Sequence, residues 1–123
     1  MQTLQAALAK CKIVPVVVVH DVAHAVPLAN ALANGGLTVV EVTMRTPAAL
    51  DVISAMAKAR PDLVTGAGTV LNATHLQQAR DAGAHFGVSP GTSAALREAI
   101  LASGWAFIPG CATPSEAMTL ADA

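Results

Sequence analysis

Five times along the chain, a short apolar run ends in a turn and a helical pattern then begins. The runs occupy residues 13–19, 37–46, 62–65, 85–88 and 105–108. Asp21 is placed to cap a first helix that stops near Gly35-Gly36, where glycine supplies the C-terminal stop. Pro27 sits late for a first-turn proline in that helix, so the helix starts later or kinks. Thr46-Pro47 reads as an N-cap and first-position proline, with Leu50, Ile53, Met56 and Ala57 at helical spacing. Lys58 and Arg60 suit the negative end of that helix, and Pro61 ends it. Asn72 opens a helix ending at Gly83, and Thr92 or Ser93 opens one ending at Gly104. Thr113-Pro114-Ser115-Glu116 is a capping box with proline at the first helical position.

Strands and helices alternating in this order imply a parallel sheet with right-handed crossovers. The fold class is therefore α/β: a (β/α)8 TIM barrel, here an incomplete barrel of about five β/α units, or alternatively a doubly wound sheet. A complete barrel takes at least about 200 residues. The expectation is a single domain over residues 1–123, the N-terminal part of a barrel that stops before its sixth strand.

Composition removes several functions. Hydrophobic residues make up 54% and charged residues 12%, a globular balance. The longest apolar run, residues 13–19, is broken by Pro15 and is far short of the roughly 20 residues of a membrane span. No signal peptide is legible. A net charge of −1 offers no basic stripe for nucleic acid or anionic lipid. Phe86, Trp105 and Phe107 are too few for base stacking. Cys11 and Cys111 lack CxxC spacing and read as reduced cytoplasmic thiols. His20 and His24 straddle a loop-to-helix junction and read as surface or capping residues, so no metal is expected.

The chemistry concentrates in residues 37–46. Alternation puts Leu37, Val39, Glu41, Thr43 and Arg45 on one face, with Val40, Val42 and Met44 on the other. A carboxylate in a Val-rich buried strand needs a partner or a purpose. Its face turns polar toward the C-terminal end, where α/β proteins place ligands. The competing reading is a solvated edge strand. Arg45 suits a carboxylate or phosphate, or else a surface ion pair. Four strand residues span about 13 Å, so Glu41 and Arg45 are not expected to pair directly. Thr43 shares the face and receives no role. Gly66-Ala67-Gly68 starts a dinucleotide fingerprint, but Leu71 stands where the third glycine belongs. It reads instead as a tight loop with Thr69 exposed at the same edge as Glu41. Ser89-Pro90-Gly91 and Pro109-Gly110 are turn sequences at that edge.

In combination these residues resemble one family. Val14-Pro-Val-Val-Val-Val19, Ala25-Val-Pro-Leu-Ala-Asn-Ala-Leu32, Glu41-Val-Thr-Met-Arg-Thr46 and Gly66-Ala-Gly-Thr-Val-Leu-Asn72 are similar to the KDPG/KHG aldolases. Val88-Ser-Pro-Gly91 and Ile108-Pro-Gly110 keep the family's order and spacing. The resemblance implies a Schiff-base aldolase with neither metal nor cofactor. It would cleave 2-keto-3-deoxy-6-phosphogluconate or 4-hydroxy-2-oxoglutarate to pyruvate and an aldehyde. Glu41 would be the catalytic proton relay and Arg45 the carboxylate ligand. Thr69 would contact pyruvate, and Pro90 would form a pocket wall. It also implies a small 2-keto acid as partner, a cytoplasmic location and a homotrimer when intact. The family's Schiff-base lysine belongs to a sixth strand, in a run like Lys-Phe-Phe-Pro that this sequence does not contain. Lys10, Lys12 and Lys58 are not placed to substitute, so this chain is expected to be inactive alone. The alternative is a non-catalytic oxoacid-binding half-barrel, or one completed by a partner.

Overall fold

The computed structural model describes residues 3–123. Helix α1 (Leu4–Lys10) comes first, followed by strand β1 (Val16–Val17). A 3-10 turn (Val22–His24) leads into α2 (Ala25–Asn34), β2 (Val39–Thr43) and α3 (Ala49–Ala59). Then come β3 (Val64–Gly68), α4 (Ala73–Asp81), β4 (Phe86–Ser89), α5 (Ala94–Ser103), β5 (Phe107–Pro109) and α6 (Pro114–Ala121). The strands form one parallel sheet in the order β1-β2-β3-β4-β5. A doubly wound sheet reverses its strand order at a switch point, and this one never does. It is an arc of a (β/α) barrel.

The two faces of the arc bury different things. Val40, Val42 and Ala67 point outward and pack with Val52, Ile53 and Met56 of α3, Leu76 of α4 and Leu96 of α5. Val39, Val64 and Phe86 point inward, where Ala7 of α1 closes the base of the arc beneath them. Helix α1 is an element that the sequence pattern alone does not announce. Thr3 caps α1 by accepting from the Ala6 amide at 3.2 Å, and its apolar residues are held by the barrel floor.

Several expected boundaries move. Only Val16–Val17 of residues 13–19 joins the strand ladder. Asp21 caps the 3-10 turn, so α2 begins later and Pro27 becomes its third residue, where no intrahelical amide is needed. The predicted strand 37–46 ends at Thr43, which leaves Arg45 in the following turn and off the strand face. Thr46 does not cap α3; its hydroxyl donates to the Val19 carbonyl at 2.7 Å and ties down the end of β1. Arg60 does more than end α3. Its guanidinium forks onto Asp62 at 2.9 and 2.7 Å and donates to Asn34 of α2 at 3.0 Å.

The largest correction concerns Gly66-Ala67-Gly68. These residues are not a loop but the fully buried second half of β3. A Cβ on Gly66 would fall inside the Phe86 ring, and one on Gly68 would collide with the Glu41 carboxyl group. The glycines are spaces reserved for side chains of neighbouring strands.

Candidate active site

Glu41 is the midpoint of β2 and faces into the arc, paired in register with Val16 on one side and Gly66 on the other. Its side chain climbs toward the C-terminal edge over Gly68. Burial pushes its carboxyl above the ordinary glutamate range, and the nearby charge of Arg45 partly offsets this. Among the described residues no ion pair joins the two, yet they are electrostatically coupled across the turn that ends β2.

Arg45 is exposed, and its Nε donates to the Thr69 hydroxyl at 3.2 Å. This contact brings together two predicted site residues from neighbouring strand ends. Thr69 has φ +60°, a left-handed conformation that a β-branched residue adopts only under constraint. The constraint is visible on its C-terminal side. Val70 turns back into the outer core, fully buried, and its amide donates to the Val88 carbonyl at 3.0 Å. The chain must change faces within one residue, and Thr69 absorbs the change at the rim of the site.

Pro90 lies exposed in the turn after β4, at the same edge. That turn is locked to the turn after β5. Thr92 donates to the Gly110 carbonyl at 2.9 Å, the Ser89 and Thr92 hydroxyls lie 3.1 Å apart, and the Gly110 amide donates to Ser89 at 3.3 Å. By sequence, Ser89 is a turn residue and Thr92 a candidate cap. Their alternative use required knowing that the two turns are neighbours.

His85, just below β4, is also committed to structure. The Thr65 amide donates to its Nδ1 at 3.0 Å, and burial holds its imidazole below the ordinary range. His20 and His24 are exposed, and among the described residues no cluster of three or more His, Cys, Asp or Glu side chains forms a metal-binding set. No helix is long and apolar enough to cross a membrane.

A cleft of about 240 Å³ lies elsewhere, between α5 and α6 beside Arg97 and Glu116. Glu116 is occupied there as a capping acceptor for the Ala112 amide and the Thr113 hydroxyl. The Glu41 region is instead an open trough, with Val16 60% and Ile108 41% exposed along the arc.

Residues 4–122 match the family model described as "KDPG and KHG aldolase". The chain is 54% identical over 106 residues to the 2-dehydro-3-deoxy-phosphogluconate aldolase of Pseudoalteromonas atlantica, covering 86% of this chain and 49% of that protein. Among solved structures it is similar to the 2-keto-3-deoxy-6-phospho-gluconate aldolase of Zymomonas mobilis, with a TM-score of 0.91 and 44% identity over 98% of this chain and 58% of that one. It is also similar to a KDPG aldolase from Legionella pneumophila, solved with pyruvate captured as a covalent carbinolamine intermediate. There the TM-score is 0.89 and the identity 38%, over 95% of this chain and 57% of that one. The chain thus spans about half the length of the curated relatives it matches.

Proposed function

The chain belongs to the KDPG and KHG aldolase family, and from that premise we propose that it supplies the proton-relay and carboxylate-binding part of a Schiff-base aldolase site. The observation that carries the reading is Glu41 seated over Gly68 inside the arc, beside an Arg45 that is hydrogen-bonded to Thr69.

The residues divide the chemistry. An amine condenses with the C2 ketone of a 2-keto-4-hydroxy acid, and the resulting iminium accepts the electrons released when the C3–C4 bond breaks. Glu41, held partly out of water with a raised pKa, takes and returns protons during condensation and cleavage. Arg45 spends its Nε on Thr69, which leaves its outer nitrogens to fork onto the substrate carboxylate. Thr69 orients that guanidinium, and Pro90 walls the mouth. Products are pyruvate and an aldehyde.

The amine is not among these residues. Lys10 ends α1 at the base of the arc, and Lys12 precedes β1. Lys58 lies exposed in the last turn of α3, at the edge opposite the Glu41 carboxylate. By the family resemblance, the amine would come from a lysine on a sixth strand.

Borohydride reduction in the presence of pyruvate tests this division. The 123-residue chain alone is expected to give no trapped adduct. Mixed with a polypeptide carrying the sixth strand and its lysine, it is expected to permit one, and Glu41→Gln in the chain should slow its formation. An adduct on the isolated chain would overturn the division, and indifference to Glu41→Gln would overturn the relay. Arg45 and Thr69 need no lysine, so oxoacid binding without turnover is the second reading. Pyruvate binding by calorimetry, abolished in Arg45→Ala and with no adduct in the mixture, would favour it.

A further inference from the structure

Thr43 is the last residue of β2, two positions beyond Glu41 on the same inward face. It is 3% exposed, and its hydroxyl oxygen is buried without a hydrogen-bond partner. A buried hydroxyl left unpaired is destabilising, and valine would fill the same volume without that cost. The two neighbouring polar threonines on this part of the sheet are both employed: Thr46 holds the end of β1, and Thr69 receives Arg45.

The register says what Thr43 faces. Thr43 pairs with Gly68, and Gly68 is the residue over which the Glu41 carboxyl group lies. The carboxylate has therefore climbed from its own level to that of the unpaired hydroxyl. Its register neighbours are Val16 of β1 and Gly66 of β3, with Gly68 under its carboxyl group and Phe86 of β4 level with Gly66, and none of these titrates. Arg45 is the charged group that acts on it.

We propose that Thr43 is a positioning residue whose hydroxyl donates to the ionised Glu41 carboxylate and fixes it above Gly68. The inference rests on the aldolase reading only for the use made of Glu41; the hydrogen bond itself is testable without turnover. When Glu41 is protonated the acceptor is weak and the hydroxyl is released. When it ionises, the bond forms and holds the carboxylate oxygens in one orientation for the next proton transfer.

The test is a carbon-13 NMR titration of the glutamate carboxyls, with Glu41 assigned as the signal missing from Glu41→Gln. A hydrogen bond to the charged form lowers a carboxyl's pKa. Thr43→Val should therefore raise the Glu41 midpoint by roughly half a pH unit or more, the effect of one net hydrogen bond. Thr43→Ser, which keeps the hydroxyl, should restore it. Below the Glu41 midpoint, where the hydroxyl has no acceptor, Thr43→Val should unfold at the same temperature as the parent or a higher one, and above it at a lower one. An unchanged midpoint in Thr43→Val would overturn the proposal, as would failure of Thr43→Ser to restore it. A lowered unfolding temperature of Thr43→Val below the Glu41 midpoint, where the carboxyl is protonated, would show another structural partner for the hydroxyl and would overturn it too. None of these readouts depends on adduct trapping, which tests the aldolase reading separately.

Discussion

The two faces of β2 solve opposite problems with alternate residues of one strand. Outward, Val40 and Val42 are fully buried in a layer that is apolar apart from Thr65, the register partner of Val40, whose buried hydroxyl donates to the Leu63 carbonyl at 3.4 Å. Inward, Glu41 is half-buried with a raised pKa and Thr43 has an unpaired hydroxyl. Beyond the strand end on the neighbouring β3, Thr69 holds a left-handed backbone. The outward face is stabilising along its length, whereas the inward face is stabilising only at its base, where Val39, Val64 and Phe86 cluster, and carries groups that cost stability toward its C-terminal edge. The stable face is what makes the costly one tolerable, because marginal stability leaves room for few such features.

The sharpest way to break this contrast is to attack the outer face. Ile53→Ala removes a fully buried side chain between α3 and the sheet and is expected to cost about 2–5 kcal/mol, read by denaturant unfolding. A loss below about 1 kcal/mol would mean that the outer layer collapses around the gap and is not the main support.

On the inner face the expected sign reverses. Thr69→Gly places at φ +60° the residue that tolerates it, and stability should stay level or rise by up to about 1 kcal/mol. A clear loss would show that the threonine's own contacts, rather than the burial of Val70, fix the turn.

Glu41→Gln sharpens the contrast through pH. Glu41's folded pKa lies above its unfolded value, so its favourable contribution is present in acid and lost as pH rises through the folded value. The glutamine variant should match the parent near pH 4 and exceed it modestly at pH 7, read as unfolding midpoints across that range. A variant less stable than the parent at pH 7 would mean that the Arg45 charge outweighs burial.

The smallest effect belongs to His85. Its folded pKa is depressed, so it contributes stability at neutral pH that fades as pH falls below the unfolded value of about 6.5. His85→Gln should flatten that portion of the stability–pH curve, and an unaltered curve would remove His85 from the account.

Much of this was legible without coordinates because it depends on local pattern. Asn72, Ser93 and Thr113 cap the helices whose starts they mark, each accepting a backbone amide of its own first turn. The period-two alternation in residues 39–43 gave the inward direction of Glu41 and Thr43 correctly. Positions whose role is set by a distant neighbour were misread. Thr46 has the sequence context of a cap, but its hydroxyl donates to the Val19 carbonyl instead. Gly66 and Gly68 looked like a turn because glycine is usually conformational, whereas here it makes room for Phe86 and Glu41.

The sequence alone determined the strand–helix alternation, the caps, the inward carboxylate and the family. These rest on side-chain periodicity, hydrogen bonds a few residues apart and the order of motifs, all of which are written along the chain. Only the tertiary structure decided that Arg45 meets Thr69, that the Glu41 carboxylate rises to the level of Thr43, and that Thr69 bears the strain of burying Val70. Each of those depends on strand register and on the space left between strands, and a parallel sheet fixes both through partners 20 or more residues away.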